Sequence, residues 1–143
     1  MTLESGKYHI FVVDYTPHPP LSRPLGLSES GSRNQVVILP AGASAPTFEV
    51  EKVSGDKVKL RLSGRPLHPS GDHVQAGEGT PFEWKVLRGA PSPPPMGKDG
   101  FSFLIPDAKE QRSWAFDRDH NNIHEDNPIV LKGVAEMYHV VRV

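Results

Sequence analysis

A five-residue phrase recurs three times along this chain, and no other feature constrains the fold as strongly. It reads Phe48-Glu49-Val50-Glu51-Lys52, Trp84-Lys85-Val86-Leu87-Arg88 and Tyr138-His139-Val140-Val141-Arg142: aromatic, variable, valine, variable, basic. Side chains two apart lie on one face of an extended strand, so the aromatic and the valine point the same way. The basic residue continues that face to the strand end, where a long side chain reaches water while its stem stays packed. A second phrase opens each segment: a glycine, then within one to three residues an apolar-x-apolar pair, Tyr8-x-Ile10, Val58-x-Leu60 and Phe101-x-Phe103. The chain divides into three unequal thirds, each with a matched opening and closing strand. The pattern predicts an all-β β-trefoil with pseudo-three-fold symmetry and twelve strands, six forming a short barrel and six capping it as hairpins. The competing reading is a β-sandwich or another barrel, since half-buried strands favour aromatic and β-branched residues in any fold. Function in such a scaffold sits in the connecting loops.

A length of 143 residues fits one domain spanning 1–143. Hydrophobic residues make up 36%, enough for a single core. Sixteen Lys and Arg face 17 Asp and Glu, which argues against a general nucleic-acid or membrane-surface binder, because phosphate binding needs a basic excess. No apolar run approaches the roughly 20 residues of a membrane span, and the first residues, Met1 to Gly6, show no signal peptide, so a cytoplasmic protein is expected. The absence of cysteine excludes disulfides, thiolate zinc sites and a cysteine nucleophile. The 15 prolines and 13 glycines act as punctuation. Four prolines within 17–24 and four within 91–95 are expected to bar a central strand or helix interior from both places.

Strands are expected over Lys7–Val13, Gln35–Leu39, Thr47–Val53, Val58–Leu62, Phe82–Leu87, Gly100–Ile105, Ser113–Phe116, Ile129–Leu131 and Glu136–Val143. Ser54-Gly55-Asp56 reads as a tight turn joining two of them.

Three stretches carry a family resemblance: Leu3-Glu4-Ser5-Gly6-Lys7-Tyr8, Val36-Val37-Ile38-Leu39-Pro40 and Ala45 to Val53. They resemble the mushroom serine protease inhibitors of the cospin/cnispin-like type, cysteine-free β-trefoils with the cysteine-protease-inhibiting mycocypins as more distant relatives. The resemblance is clearest over the first third. It implies a trefoil that inhibits proteases. It does not specify the reactive loop, which members of the family place either between the second and third strands or between the last two.

A substrate-like inhibitor presents an extended loop whose P1 side chain fills the enzyme's specificity pocket. A trypsin-like pocket has an aspartate at its base and takes Arg or Lys. The leading P1 candidate is Arg33, with Asn34 at P1′ and Ser32 and Gln35 as flanking contacts. It lies in the small polar link Ser30-Gly31-Ser32-Arg33-Asn34-Gln35, directly before the apolar strand Val36 to Leu39 that would anchor one end, and Ser32 and Asn34 can stiffen the link locally. Lys132-Gly133, between Ile129-Val130-Leu131 and the closing strand, is the second candidate loop. Arg23-Pro24 and Arg65-Pro66 place proline at P1′, where cleavage is poor and the backbone donor is missing. Arg88 belongs to a closing phrase and reads as structural. The bland reading of each cation is a solvated surface residue.

Other chemistries have weaker support. His120 and His124, beside Glu125 and Asp126, have a spacing that binds metal on a helix, but two asparagines and Pro128 make the segment a loop, and neither metal nor cofactor is expected. No serine stands in a nucleophile elbow, and Gly77-Glu78-Gly79 lacks the lysine and helix of a phosphate cradle, so an enzyme is not expected. The alternatives are a carbohydrate-binding trefoil lectin, using Trp114 and the loop Asp117 to Asn122, and an inhibitor of papain-like cysteine proteases, using loops near Gly26 or Pro91 to Pro95. The expected partner is a trypsin-like serine protease, bound by a monomer.

Overall fold

The computed structural model describes residues 3–14, 21–28, 34–91, 99–106, 109–117, 127–134 and 136–143. These residues form thirteen strands and no helix: β1 (Gly6–Asp14), β2 (Leu21–Leu27), β3 (Val36–Ile38), β4 (Phe48–Ser54), β5 (Lys57–Leu62), β6 (Arg65–Ser70), β7 (His73–Ala76), β8 (Glu83–Pro91), β9 (Asp99–Leu104), β10 (Ser113–Ala115), β11 (Asn127–Pro128), β12 (Val130–Lys132) and β13 (Tyr138–Arg142).

Six strands close a ring. β1 pairs with β4, β4 with β5, β5 with β8, β8 with β9, β9 with β13, and β13 returns to β1, every pair antiparallel. The register repeats with the sequence phrases. Within each third the first opening residue stands opposite the closing aromatic: Tyr8 opposite Phe48, Val58 opposite Trp84, Phe101 opposite Tyr138. Across each boundary the same residue stands opposite the preceding closing cation: Val58 opposite Lys52, Phe101 opposite Arg88, Tyr8 opposite Arg142. The valines meet the second opening residues, Val50 with Leu60, Val86 with Phe103, Val140 with Ile10.

This register delivers the repeated side chains to one core. Phe48, Trp84, Tyr138, Ile10, Leu60 and Phe103 have no exposed surface, and each such burial contributes about 1.5–3 kcal/mol. Trp84 and Trp114 meet edge to face with centroids 5.5 Å apart, and Phe103 lies 4.6 Å from Trp114. The closing cations reach the rim. Arg142 sits 5.6 Å from the centre of the Tyr8 ring and donates to the Ser5 carbonyl at 3.3 Å. Lys52 donates to Glu4 Oε1 at 3.2 Å.

The remaining strands cap the barrel as hairpins, β2 with β3, β6 with β7, and β10 with β12. The hairpins fasten to one another through the main chain. The Ala76 N–H donates to the Asn34 carbonyl at 2.7 Å, Ile129 N–H to the Val36 carbonyl at 2.8 Å, and Val74 N–H to the Ile129 carbonyl at 3.2 Å. Ile129 bonds both other hairpins, which interrupts its own strand and yields β11 and β12 where one strand was expected.

One strand, β2, runs through sequence expected to exclude it, and β6 was not among the expected strands. β2 contains Pro24 and β6 contains Pro66 and Pro69. A proline still offers its acceptor, and Pro24 uses it, taking the Leu39 N–H at 2.8 Å where β2 leaves β1 for β3. The turn between β5 and β6 is a two-residue link with Ser63 and Gly64 both at positive φ (53° and 79°), the twist that hairpins favour.

Candidate functional site

The link between β2 and β3, residues 28–35, is built from both ends. On the β2 side Ser28 is buried and its N–H donates to the Gln35 carbonyl at 3.1 Å, closing the base of the loop. On the β3 side three residues are held in sequence. The Asn34 carbonyl takes the Ala76 N–H, Gln35 forms a bridge with Gln75, and Val36, Val37 and Ile38 are at most 1% exposed. The expected anchor is therefore present. Asn34 is exposed and Gln35 half-buried. Ser32 and Arg33 lie outside the described residues.

The second candidate loop follows β12. Lys132 pairs with Ser113 in the ladder, and its ammonium donates to the Asp117 carboxylate. The Gly133 carbonyl accepts from Gln111 Nε2 at 3.0 Å, and the Glu136 N–H donates to the Trp114 carbonyl at 3.3 Å. Lys132 is thus directed along the scaffold. Val134, which the sequence does not single out, is 79% exposed.

The remaining cations sort by burial. Arg23 is 6% exposed and its Nε donates to the Leu39 carbonyl at 3.2 Å, so it braces β3. Arg65 lies in β6 opposite Leu62. Arg88 stands at the barrel rim opposite Phe101.

Two alternative sites lose residues they require. Trp114 cannot stack on a sugar: it has no exposed surface and is enclosed by Trp84, Phe103 and Tyr138, the last at 6.0 Å. Gly26 is no loop residue. It lies in β2 opposite Val37, and a Cβ there would come within 2.6 Å of Leu39 and 2.9 Å of Pro46. Pro91 ends β8, and residues 92–98 lie outside the described set, as do His120, His124, Glu125 and Asp126. Among the described residues no group of three or more His, Asp or Glu converges as a metal site would require, and no helix is long and apolar enough to cross a membrane.

No protein-family model and no curated protein sequence matches the chain. Among solved structures, the chain is similar to a proteinase inhibitor from Coprinopsis cinerea. The match covers 99% of both chains with a TM-score of 0.69 and 15% identity. At that identity the likeness is one of fold, and it confirms the trefoil expected from the repeated phrases.

Proposed function

We propose that this protein is a substrate-like, reversible inhibitor of trypsin-type serine proteases, with Arg33 as P1, Asn34 as P1′, and Ser32 and Gln35 as flanking contacts. The observation that carries the reading is the fastening of residues 28–35 at both ends, on a fold shared with a proteinase inhibitor. Binding costs free energy for every loop residue that must be frozen. The Ser28–Gln35 and Ala76–Asn34 hydrogen bonds and the buried strand behind them meet part of that requirement before the enzyme arrives. With no cysteine in the chain, such bonds do what a disulfide does in other small inhibitors.

Arg33 would enter the pocket and pair with the aspartate at its base. After cleavage of the bond following Arg33, Ser28 would hold one new end near the other through Gln35, so the cut form would stay assembled and compete with departure. The resemblance over residues 3–8, 36–40 and 45–53 supports the same role. The reading needs no cofactor or catalytic group.

An inhibition panel of trypsin, chymotrypsin, subtilisin and papain tests the proposal. Trypsin is expected to be inhibited most tightly and papain not at all. Arg33→Glu is expected to abolish trypsin inhibition with an unchanged circular dichroism spectrum. Undiminished inhibition by that variant would remove Arg33 from the mechanism.

A further inference from the structure

We infer that the groove bounded by the start of β5, by β6, by the β7–β8 link and by the residues after β9 is a binding site for a neutral saccharide, a single sugar or the terminal unit of a glycan. The inference goes beyond the inhibitor reading and rests on neither Arg33 nor Lys132.

The groove encloses about 480 Å³, within the roughly 300–1,000 Å³ of small-ligand sites. Four stretches of chain converge on it. Lys57 opens β5, His68 stands in β6, Thr80 to Glu83 lead into β8, and Ile105 follows β9. The floor is apolar. Phe82 and Ile105 are half-buried and pack on the core, and Phe82 meets the fully buried Trp84 edge to face at 4.7 Å. Ile105 is fastened through its N–H, which donates to the Arg112 carbonyl at 2.9 Å. A partly exposed aromatic ring held from behind offers a surface to the C–H face of a sugar ring.

The rim is polar, and its groups are uncommitted. Among the described residues, the side chains of Lys57, His68, Thr80 and Glu83 make no hydrogen bond or ion pair. The neighbouring Asp56 is taken by Lys85 at 4.0 Å. The groove beside β12 differs on this point: its Gln111, Arg112 and Lys132 are already bound to Gly133, Asp72 and Asp117. An ammonium donates, a carboxylate accepts, a hydroxyl does both and a neutral imidazole does one of each. That mixture fits sugar hydroxyls, which also donate and accept. One lysine and one glutamate cancel in charge, so the rim does not select an anion.

His68 is set in place by the backbone beneath it. Its Cε1 lies 2.6 Å from where a Cβ on residue 77 would stand, so the close approach requires Gly77. The Gly77 N–H donates to the Pro66 carbonyl at 3.0 Å, and His68 pairs with Gln75 across the hairpin. A ring seated in this way has little freedom left to lose on binding.

The test is binding of the full chain to an array of immobilised galactosides, glucosides, mannosides and N-acetylglucosaminides beside sialylated and sulfated glycans. Titration calorimetry with the methyl glycoside of the strongest responder then gives affinities. Binding to a neutral glycan is expected. Glu83→Ala removes a charged acceptor and is expected to weaken it about tenfold, and His68→Ala about fivefold. Gly77→Ala keeps every rim group but displaces the imidazole, and is expected to weaken binding as His68→Ala does. Gln111→Ala, in the other groove, and Arg33→Glu are expected to bind as the parent does, so this inference and the inhibitor reading fail separately. All five variants are expected to keep the parent's circular dichroism spectrum. The inference is overturned if no neutral glycan binds, if binding is confined to the anionic glycans, or if Glu83→Ala and His68→Ala bind as well as the parent.

Discussion

The barrel and the cap of this molecule obey the three-fold repeat to different degrees. In the barrel, nine cross-strand pairings fall in three equivalent sets, down to the individual aromatic, valine and cation. In the cap, the hairpins correspond but their links do not: residues 28–35 join β2 to β3, Gly71 and Asp72 alone join β6 to β7, and residues 116–126 join β10 to β11. The barrel must fill one shared core, so each third is held to the same residues. A link over water has no such constraint and can lengthen at a small entropic cost, since doubling a loop adds only about 0.6 kcal/mol. Symmetry therefore marks where the molecule is stabilised, and departure from it marks where binding is expected.

The comparison can be broken most severely in the barrel. Trp84→Ala removes a fully buried ring in contact with Phe82 and Trp114 and the hydrogen bond from its Nε1 to the Leu67 carbonyl, 3.3 Å long. A loss of about 3–5 kcal/mol is expected from urea unfolding. A loss below 1 kcal/mol would show that the repeated aromatics are not the core's main support.

Next comes an exchange in the cap. Replacing residues 29–33 by Asn-Gly makes the first link resemble the short third-equivalent one between β6 and β7. Thermal unfolding is expected to change little, while trypsin inhibition falls at least about a hundredfold, or 2.7 kcal/mol. If stability collapsed instead, the long link would be part of the scaffold, and the division between barrel and cap would not hold.

A smaller effect separates equivalent cations. Arg142→Ala loses a contact with the Tyr8 ring and a hydrogen bond to Ser5, together about 1–2 kcal/mol. Lys52→Ala, which breaks an exposed pair with Glu4, is expected to cost at most about 1 kcal/mol. Equal losses in chemical denaturation would mean that the position and not the partner sets the contribution. The smallest change is expected from Lys132→Ala, about 0–1 kcal/mol for an exposed pair with Asp117 and no loss of trypsin inhibition. A loss of inhibition would move the P1 role from Arg33 to Lys132.

What could be read from the residues follows the same division. The closing and opening phrases carried the barrel register because each is a strand with one face in the core, and period two makes that face visible. β2 and β6 were hidden by their prolines, whose carbonyls serve the ladder even though their nitrogens cannot. Trp114 looked available beside a polar loop, yet three aromatic neighbours far away in sequence enclose it. Gly26 looked like loop punctuation, yet it is a close approach between β2, Leu39 and Pro46. In the loop that precedes β3, the anchor Val36 to Ile38 was legible as an apolar run, whereas the fastening of Asn34 by Ala76 depends on a hairpin some 40 residues away and leaves no local trace.

The meeting of β1 with β13 has a kinetic consequence. Tyr8 must find Arg142, and the Val143 N–H must find the Lys7 carbonyl at 2.9 Å, before the ring is complete. Such pairing across nearly the whole chain raises contact order, which slows folding by orders of magnitude relative to helical domains of similar stability. Until that seam forms, β1 and β13 each expose an unpaired edge, the kind of surface through which incompletely folded chains aggregate.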